Sequence, residues 1–163
     1  MIKEFCSVLH TPIGELSILA DSAAVVEVSF MKPGDPSMQE SSISHHAATE
    51  LQAYFDGTLK CFTFPQQQAG TPFQQSVWQA LQTIPYGTTL SYAALSVQMQ
   101  QPKAIRAIAA ANGRNDLAII IPCHRVIGSS GKLIGYAGEL WRKNWLLHHE
   151  REISQEGQLL LKF

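Results

Sequence analysis

Alternating apolar and polar positions in the first thirty residues predict β-strands. The segments ELSILA and AVVEVSF are short and rich in strand-forming residues, and Asp21-Ser22 between them is typical of a hairpin turn. A helix is predicted over about Ser42 to Phe55, with Gly57 at its end. The polar segment FPQQQAGTP, with its glycine and two prolines, predicts a boundary near residue 70. We therefore predict two domains, residues 1–70 and residues 71–163.

After that boundary the apolar spacing changes to a helical period. The segment TPFQQSVWQALQTI carries one apolar stripe, and SYAALSVQM follows it with Ser91 as a predicted N-cap. The next helix, PKAIRAIAAANG, is predicted to begin at Pro102 and to end at Gly113. Two short helices joined by a tight turn indicate a helix-turn-helix, although such helix pairs also occur in proteins that do not bind nucleic acid.

The second of these helices is nearly stripped of large side chains around Arg106. Its alanines are Ala104, Ala107, Ala109, Ala110 and Ala111. Such a helix can pack tightly against a neighbouring helix. It can equally enter a nucleic-acid groove with Arg106 as its long projection, and small side chains suit the narrow minor groove.

Composition narrows the classes of protein. The share of hydrophobic residues is 45% and that of charged residues 15%, as in globular domains, and no apolar run approaches the roughly 18 residues of a membrane span. The N-terminus lacks the apolar core of a signal peptide, so a cytoplasmic location is expected. Three widely spaced cysteines, Cys6, Cys61 and Cys123, fit neither a disulfide framework nor a metal knuckle, and no metal is expected.

The net charge of −1 is unevenly distributed. Residues 1–70 contain three Lys/Arg and eight Asp/Glu, which gives −5, whereas residues 71–163 contain nine and five, which gives +4. The second half could therefore bind an anion such as nucleic acid, or the two halves could simply have different solvated faces.

The segment IIIPCHRVIG places a cysteine at the end of an apolar run. We predict that Leu117 to Ile121 form a buried strand, and a buried cysteine is most often structural. His124 and Arg125, however, would lower the pKa of the Cys123 thiol if they face it. The glycine-rich segment that follows predicts either a close approach to a flat ligand or a plain hairpin loop.

A last helix, WRKNWLLHHE, is predicted to end near Glu150. A carboxylate at a helix C-terminus opposes the helix dipole by about 0.3–1 kcal/mol, so we expect a cationic or imidazole partner for it. A Cys–His–Glu relay is one interpretation, in which Glu150 orients His124 and His124 takes the proton of Cys123.

The chain resembles the O6-alkylguanine-DNA alkyltransferases, also called methylated-DNA–protein-cysteine methyltransferases. The resemblance is carried by LSYAAL, PKAIRAIAAANGRN, IPCHRVIGSSG, GYAG and RKNWLLHHE, and it covers about residues 71–150. It implies an α/β (α+β) fold: an N-terminal ribonuclease-H-like domain with a small sheet, then a helical, winged-helix-like domain with a helix-turn-helix.

The resemblance also implies DNA repair by direct reversal. A methyl or other alkyl group would pass irreversibly from O6-alkylguanine, with O4-alkylthymine as a further candidate substrate, to Cys123 after base flipping. The implied partner is double-stranded DNA, bound through the minor groove by a monomer, and no cofactor is needed. Such a protein is an enzyme that inactivates itself after one turnover.

Site residues follow from the same resemblance. Cys123 is the acceptor, His124 its water-mediated base and Glu150 the residue that orients the histidine. Asn115 braces the turn before the active-site segment. For DNA binding and base flipping, the matching residues are Arg106, Tyr92, Ala104, Ala107 and Ala110. The pocket residues are Tyr92, Tyr136, the Ala137 backbone N–H facing O6, the Val126 carbonyl facing the guanine amino group, and Lys143.

Three positions depart from the family pattern: Asp116 stands where a proline is common, Glu139 where a glycine is common, and bulky Ile134 lies in the glycine-rich loop. They leave alkyl-group size range and DNA affinity open. The competing classes are a lesion sensor, a cysteine hydrolase and a methyl-responsive transcription regulator. Cys123 argues against the first, the alanine-rich helix against the second, and the lack of a cysteine-rich metal domain against the third.

Overall fold

The computed structural model describes the backbone of residues 1–161 and the side chains of residues 1–155. The chain forms two compact units. The first comprises Met1–Ala69 together with Asp116–Ile120, and the second begins at Gly70 and contains the remaining segments. Compared with the predicted division into residues 1–70 and 71–163, Gly70 lies in the second unit and Asp116–Ile120 in the first.

The first unit is a three-stranded antiparallel sheet with one helix. Its strands are β1 (Phe5–Thr11), β2 (Gly14–Ala20) and β3 (Val25–Ser29), in the spatial order β1-β2-β3. Helix α1 (Ser42–Phe55) packs against the sheet and has the predicted bounds. The predicted turn at Asp21 is confirmed, since its carboxylate accepts hydrogen bonds from the backbone N–H groups two and three residues on.

The second unit is mainly helical. Its helices are α2 (Pro72–Leu81), α3 (Tyr92–Gln98), α4 (Ile105–Gly113) and α5 (Leu140–Leu161). Two very short strands, β4 (Leu90–Ser91) and β5 (Val126–Ile127), pair in parallel. Ser91 caps α3 as predicted, accepting a hydrogen bond from Ala94 N at 3.0 Å. Helices α3 and α4 pack on each other and form the predicted helix-turn-helix.

Two sequence predictions within residues 102–121 were wrong. Helix α4 begins at Ile105, because Pro102 and Lys103 lie in a turn that is closed by the hydrogen bond from Ala104 N to Gln101 O. The apolar run from Leu117 is not a strand: Leu117 makes an isolated bridge to Val28, and Ile119 adopts a φ of 71°. A run that is buried throughout has no period, so its pattern cannot separate a strand from irregular buried chain.

Among the described residues, no helix combines the length and the apolarity that crossing a membrane requires.

Candidate active site

Cys123 opens a single 3-10 turn (Cys123–Arg125) directly after Pro122. Its side chain is 5% exposed and forms part of the wall of a cavity of about 80 Å³. The cavity lies within the second unit and is lined by Tyr92, Ala109, Asn112, Gly113, Asn115, Cys123, Gly135, Tyr136 and Ala137. Of the predicted site residues, the structure thus brings Tyr92, Asn115, Cys123, Tyr136 and Ala137 around one space.

The thiol is held by Asn115. The amide nitrogen Nδ2 of Asn115 donates to the backbone oxygen of Ile121 at 3.0 Å and to Sγ of Cys123 at 3.3 Å, which matches the predicted brace. Burial raises the pKa of Cys123, and the Asn115 hydrogen bond and the charge of Lys143 partly offset that rise. Burial therefore disfavours the thiolate of Cys123, while the Asn115 amide and the Lys143 charge favour it.

Glu150 contacts two buried basic side chains and the backbone N–H of half-buried Gly87. Its carboxylate lies 2.7 Å from Nε2 of His124, and it accepts from Nε and Nη2 of Arg125 at 2.8 and 3.1 Å and from the backbone N–H of Gly87 at 3.3 Å. Burial would raise the pKa of Glu150, but the His124 charge and the hydrogen bonds from His124 and Arg125 outweigh it and hold that pKa well below its usual range.

This geometry corrects two expectations. Glu150 lies in the interior of α5, which continues to Leu161, so its partners do not answer an unfavourable position at a helix end. Arg125 does not face the thiol: its guanidinium is taken by Glu150 and by the backbone oxygen of Ile84, at 2.7 Å. The condition under which Arg125 was expected to lower the thiol pKa is therefore not met, and burial raises that pKa.

The turn that carries Gly87 packs closely on α5. Gly87 has a φ of 78°, and a Cβ there would collide with the Ser154 side chain and lie 3.2 Å from the backbone oxygen of Glu150. Glycine is therefore required twice, by backbone conformation and by space. This close approach is what allows the Gly87 N–H to reach the Glu150 carboxylate.

Nδ1, the second ring nitrogen of His124, is available to take part in the reaction. With Nε2 on Glu150, Nδ1 is buried and has no hydrogen-bond partner among the described residues. A buried polar atom without a partner is costly, and it is best explained by a water or a reacting group that occupies it.

Lys143 holds the glycine-rich loop through hydrogen bonds to its backbone oxygens. Its side chain is fully buried, and Nζ donates to the backbone oxygens of Val126, Ile134 and Gly135 at 2.6, 3.0 and 3.1 Å. Burial lowers its pKa to about 8, and the nearby Cys123 opposes that shift. Neither Lys143 nor Val126 lines the cavity, and the Val126 carbonyl, which the resemblance assigned to a guanine amino group, accepts from Lys143 with one of its two lone pairs.

Tyr92 and Tyr136 both line the cavity, but their hydroxyl groups differ in hydrogen bonding. Burial, and then the nearby Cys123, raise the pKa of both Tyr92 and Tyr136, most strongly for Tyr136. The Tyr92 hydroxyl accepts a hydrogen bond from Nδ2 of Asn112 at 3.1 Å, whereas the Tyr136 hydroxyl is buried with no partner among the described residues. Sequence reasoning missed Asn112, whose only signal is its place on α4 one residue before Gly113.

The outer face of α4 is exposed and carries several alanines. Arg106, Ala107 and Ala110 are exposed, and Ala104 is half-buried at the start of the helix. Arg106 is thus the long cationic projection that the sequence predicted, set among small side chains.

Two of the three family departures also affect this region. Glu139 has a φ of 76°, a left-handed conformation that favours glycine, and its carboxylate accepts from Nε1 of Trp141 at 2.9 Å. Ile134 is 52% exposed, and its side chain leaves no room for a Cβ at Gly128. Asp116 lies in the first unit, where its backbone N–H donates to Oε1 of Gln68 at 2.9 Å.

Fold and site together define a helix-turn-helix protein with a buried cysteine at the wall of a cavity. A family model described as "6-O-methylguanine DNA methyltransferase, DNA binding domain" matches residues 72–152. The methylated-DNA–protein-cysteine methyltransferase of Methanosarcina acetivorans is 41% identical over 90% of this chain and 97% of its own. The protein of the same name from Mycobacterium leprae is 44% identical over 90% and 92%. The chain belongs to the methylated-DNA–protein-cysteine methyltransferase family, as the motifs predicted.

Solved structures agree. The crystal structure of Mycobacterium tuberculosis OGT in complex with DNA has a TM-score of 0.81 at 40% identity and covers 90% of this chain and 92% of that one. The O6-methylguanine methyltransferase of the same organism also gives 0.81, at 40% identity and coverages of 91% and 93%. The predicted fold class is therefore confirmed. An O6-methylguanine-DNA methyltransferase from Pyrococcus kodakaraensis, 20% identical with a TM-score of 0.66, shares the fold.

Proposed function

We propose that this protein repairs DNA by direct reversal and that Cys123 accepts the methyl or other alkyl group of O6-alkylguanine. The observation that carries the proposal is the buried Cys123 thiol at a cavity wall, with Asn115 on its sulfur and the His124–Glu150 pair beside it. The protein is then a methylated-DNA–[protein]-cysteine S-methyltransferase, consumed after one turnover because a thioether cannot be hydrolysed here.

The first step is removal of the thiol proton. His124 accepts it through a water on Nδ1, and Glu150, which is ionised because of its low pKa, stabilises the imidazolium that forms. The Asn115 amide and the charge of Lys143 stabilise the thiolate.

Alkyl transfer follows as an in-line displacement. The bond from sulfur to the alkyl carbon forms while the bond from that carbon to O6 breaks, and the electron pair stays on the purine, which takes up one proton as it becomes guanine. Tyr92 is the hydroxyl donor proposed to ease this charge, the Ala137 N–H faces O6, and Tyr136 walls the base.

DNA is proposed to bind as a duplex through its minor groove. Small side chains at Ala104, Ala107 and Ala110 let α4 approach the backbone, and Arg106 fills the space that the flipped nucleotide leaves. The backbone carbonyl of Val126 is proposed to accept a hydrogen bond from the guanine amino group with the lone pair that Lys143 does not use. A monomer, a cytoplasmic location and the absence of a cofactor belong to the same proposal.

Intact-protein mass spectrometry after incubation with a duplex that carries one O6-methylguanine tests the proposal. One added methyl group on the peptide that contains Cys123, absent in Cys123→Ser, is the expected result. An unmodified protein that still binds the lesion duplex would instead indicate a lesion sensor. An unmodified protein without binding would overturn the proposal altogether.

A further inference from the structure

Asn112 carries an unused acceptor beside the reactive cysteine. Its side chain is 5% exposed and lines the cavity, and its Nδ2 donates to the Tyr92 hydroxyl at 3.1 Å. Its Oδ1 is buried and has no hydrogen-bond partner among the described residues. Leaving a buried acceptor unpaired is unfavourable, so its presence in a cavity wall indicates a ligand that supplies a donor.

Apart from the Tyr92 and Tyr136 hydroxyls, few side chains of the wall offer a polar group to a ligand. Four of the nine lining residues are alanine or glycine: Ala109, Gly113, Gly135 and Ala137. Asn115 uses its Nδ2 on the Ile121 oxygen and on the thiol. The Val126 carbonyl, the acceptor that the family resemblance suggested for a guanine amino group, lies outside the cavity lining and accepts from Lys143.

The contact with Tyr92 also fixes a direction. A phenolic hydroxyl has one proton to donate and lone pairs to accept with. Because the amide of Asn112 occupies a lone pair of the Tyr92 oxygen, the Tyr92 proton is directed away from Asn112. The cavity that both residues line is the space into which it can point.

Building on the proposed function, we propose that Asn112 reads and positions the flipped base. Its Oδ1 accepts a hydrogen bond from the exocyclic amino group of O6-alkylguanine, and its Nδ2 orients the Tyr92 hydroxyl as the donor to the leaving purine. O4-alkylthymine has no amino group, and its ring nitrogen has lost its proton. Asn112 therefore favours alkylguanine over alkylthymine.

The decisive measurement is the second-order rate of alkyl transfer from two matched duplexes, one with O6-methylguanine and one with O6-methylhypoxanthine, which lacks only the amino group. The wild-type protein is expected to react about tenfold faster with the guanine duplex. In Asn112→Leu this preference for guanine falls severalfold, because the acceptor that Asn112 supplies to the amino group is gone. Asn112→Asp keeps an acceptor oxygen and so retains the preference, while both rates fall because the amide donor to Tyr92 is lost.

The positioning role has its own test on the hypoxanthine duplex, where amino-group recognition cannot contribute. There, Asn112→Leu slows transfer in the wild-type background but not in Tyr92→Phe, because the two residues act as one unit. Thermal unfolding and binding to undamaged duplex establish that each variant is folded.

The outcomes separate the two proposals. If the wild-type protein transfers no alkyl group from either duplex, the proposed function fails. If it transfers the group and folded Asn112→Leu keeps the wild-type preference for guanine, only the role of Asn112 is overturned.

Discussion

Among the residues whose side chains the structure describes, each of the two units buries one carboxylate between two basic side chains, and the two clusters differ in the exposure of those partners. In the first unit, Glu27 on β3 is 3% exposed and pairs with Lys3 and with Lys32, whose Nζ lies 3.0 Å from Oε1. In the second unit, Glu150 is paired with His124 and Arg125. Burial would raise the pKa of either carboxylate, yet the basic partners lower both pKa values.

The difference lies in the partners. The side chains of Lys3 and Lys32 are 41% and 59% exposed, so each can leave Glu27 and be solvated. His124 and Arg125 are buried with Glu150 and have no such alternative. The Glu27 cluster lies at the protein surface, where its two lysines remain partly solvated. The Glu150 cluster is buried and holds the imidazole of His124 in a fixed orientation beside the reactive cysteine.

The largest effect is expected for Glu150→Gln. Neutralising this carboxylate leaves Arg125 buried without its counter-charge, so the free energy of unfolding should fall by about 3–5 kcal/mol and alkyl transfer should slow strongly. Urea unfolding and single-turnover kinetics measure the two. Glu152→Gln is the matched control, since Glu152 is exposed on the same helix and pairs only across the surface with His148. Similar losses in both variants would contradict the comparison.

A smaller loss is expected for Arg125→Lys. The charge remains, but an ammonium cannot make the two contacts to Glu150 and the third to the Ile84 carbonyl that the guanidinium makes. The free energy of unfolding should fall by about 1–3 kcal/mol. Alkyl transfer should slow because Glu150 orients His124 less firmly. Wild-type kinetics in this variant would show that Arg125 is structural only.

The contribution of Glu150 to the free energy of unfolding should decrease at acidic pH. Because the pKa of Glu150 in the folded protein lies well below its ordinary value of 4.5, the contribution of this carboxylate is fully present above about pH 5. It is lost as the pH falls below 4.5 toward the folded-state pKa. The stability difference between wild type and Glu150→Gln should therefore shrink on acidification, as urea unfolding at several pH values can measure. A constant difference would show that the loss is not electrostatic.

The smallest effect is expected for Glu27→Gln. Lys3 and Lys32 can turn to solvent when the carboxylate is neutralised, so the free energy of unfolding should fall by only about 1 kcal/mol. Alkyl transfer should keep its wild-type rate. A loss as large as that of Glu150→Gln would show that exposure of the partners does not govern the cost.

Local signals made much of the fold predictable. The period of apolar residues predicted the bounds of α1, and Ser91 predicted the start of α3. Both signals are local, because helix capping and amphipathicity depend on residues a few positions apart. The start of α4 and the apolar run before Cys123 failed for the opposite reason. Neither Pro102 nor a uniformly buried segment carries a local signal that decides between alternative backbone paths.

Motifs singled out candidate site residues but not their contacts. The string PCHRV singled out Cys123, His124 and Arg125, yet only the fold turns Arg125 toward Glu150 and Lys143 toward three carbonyls. Asn112 was missed because an asparagine near a helix end is ordinary in sequence. Its importance arises from the cavity, which is formed by segments far apart in the chain.

The tight contact between Gly87 and α5 has a genetic consequence. Gly87 does not line the cavity, and no motif draws attention to it. Any other residue at this position would need an unfavourable backbone conformation and would press on the turn of α5 that carries Glu150. Among random codon changes selected for sensitivity to alkylating agents, position 87 should therefore recur although it is remote from the reacting sulfur.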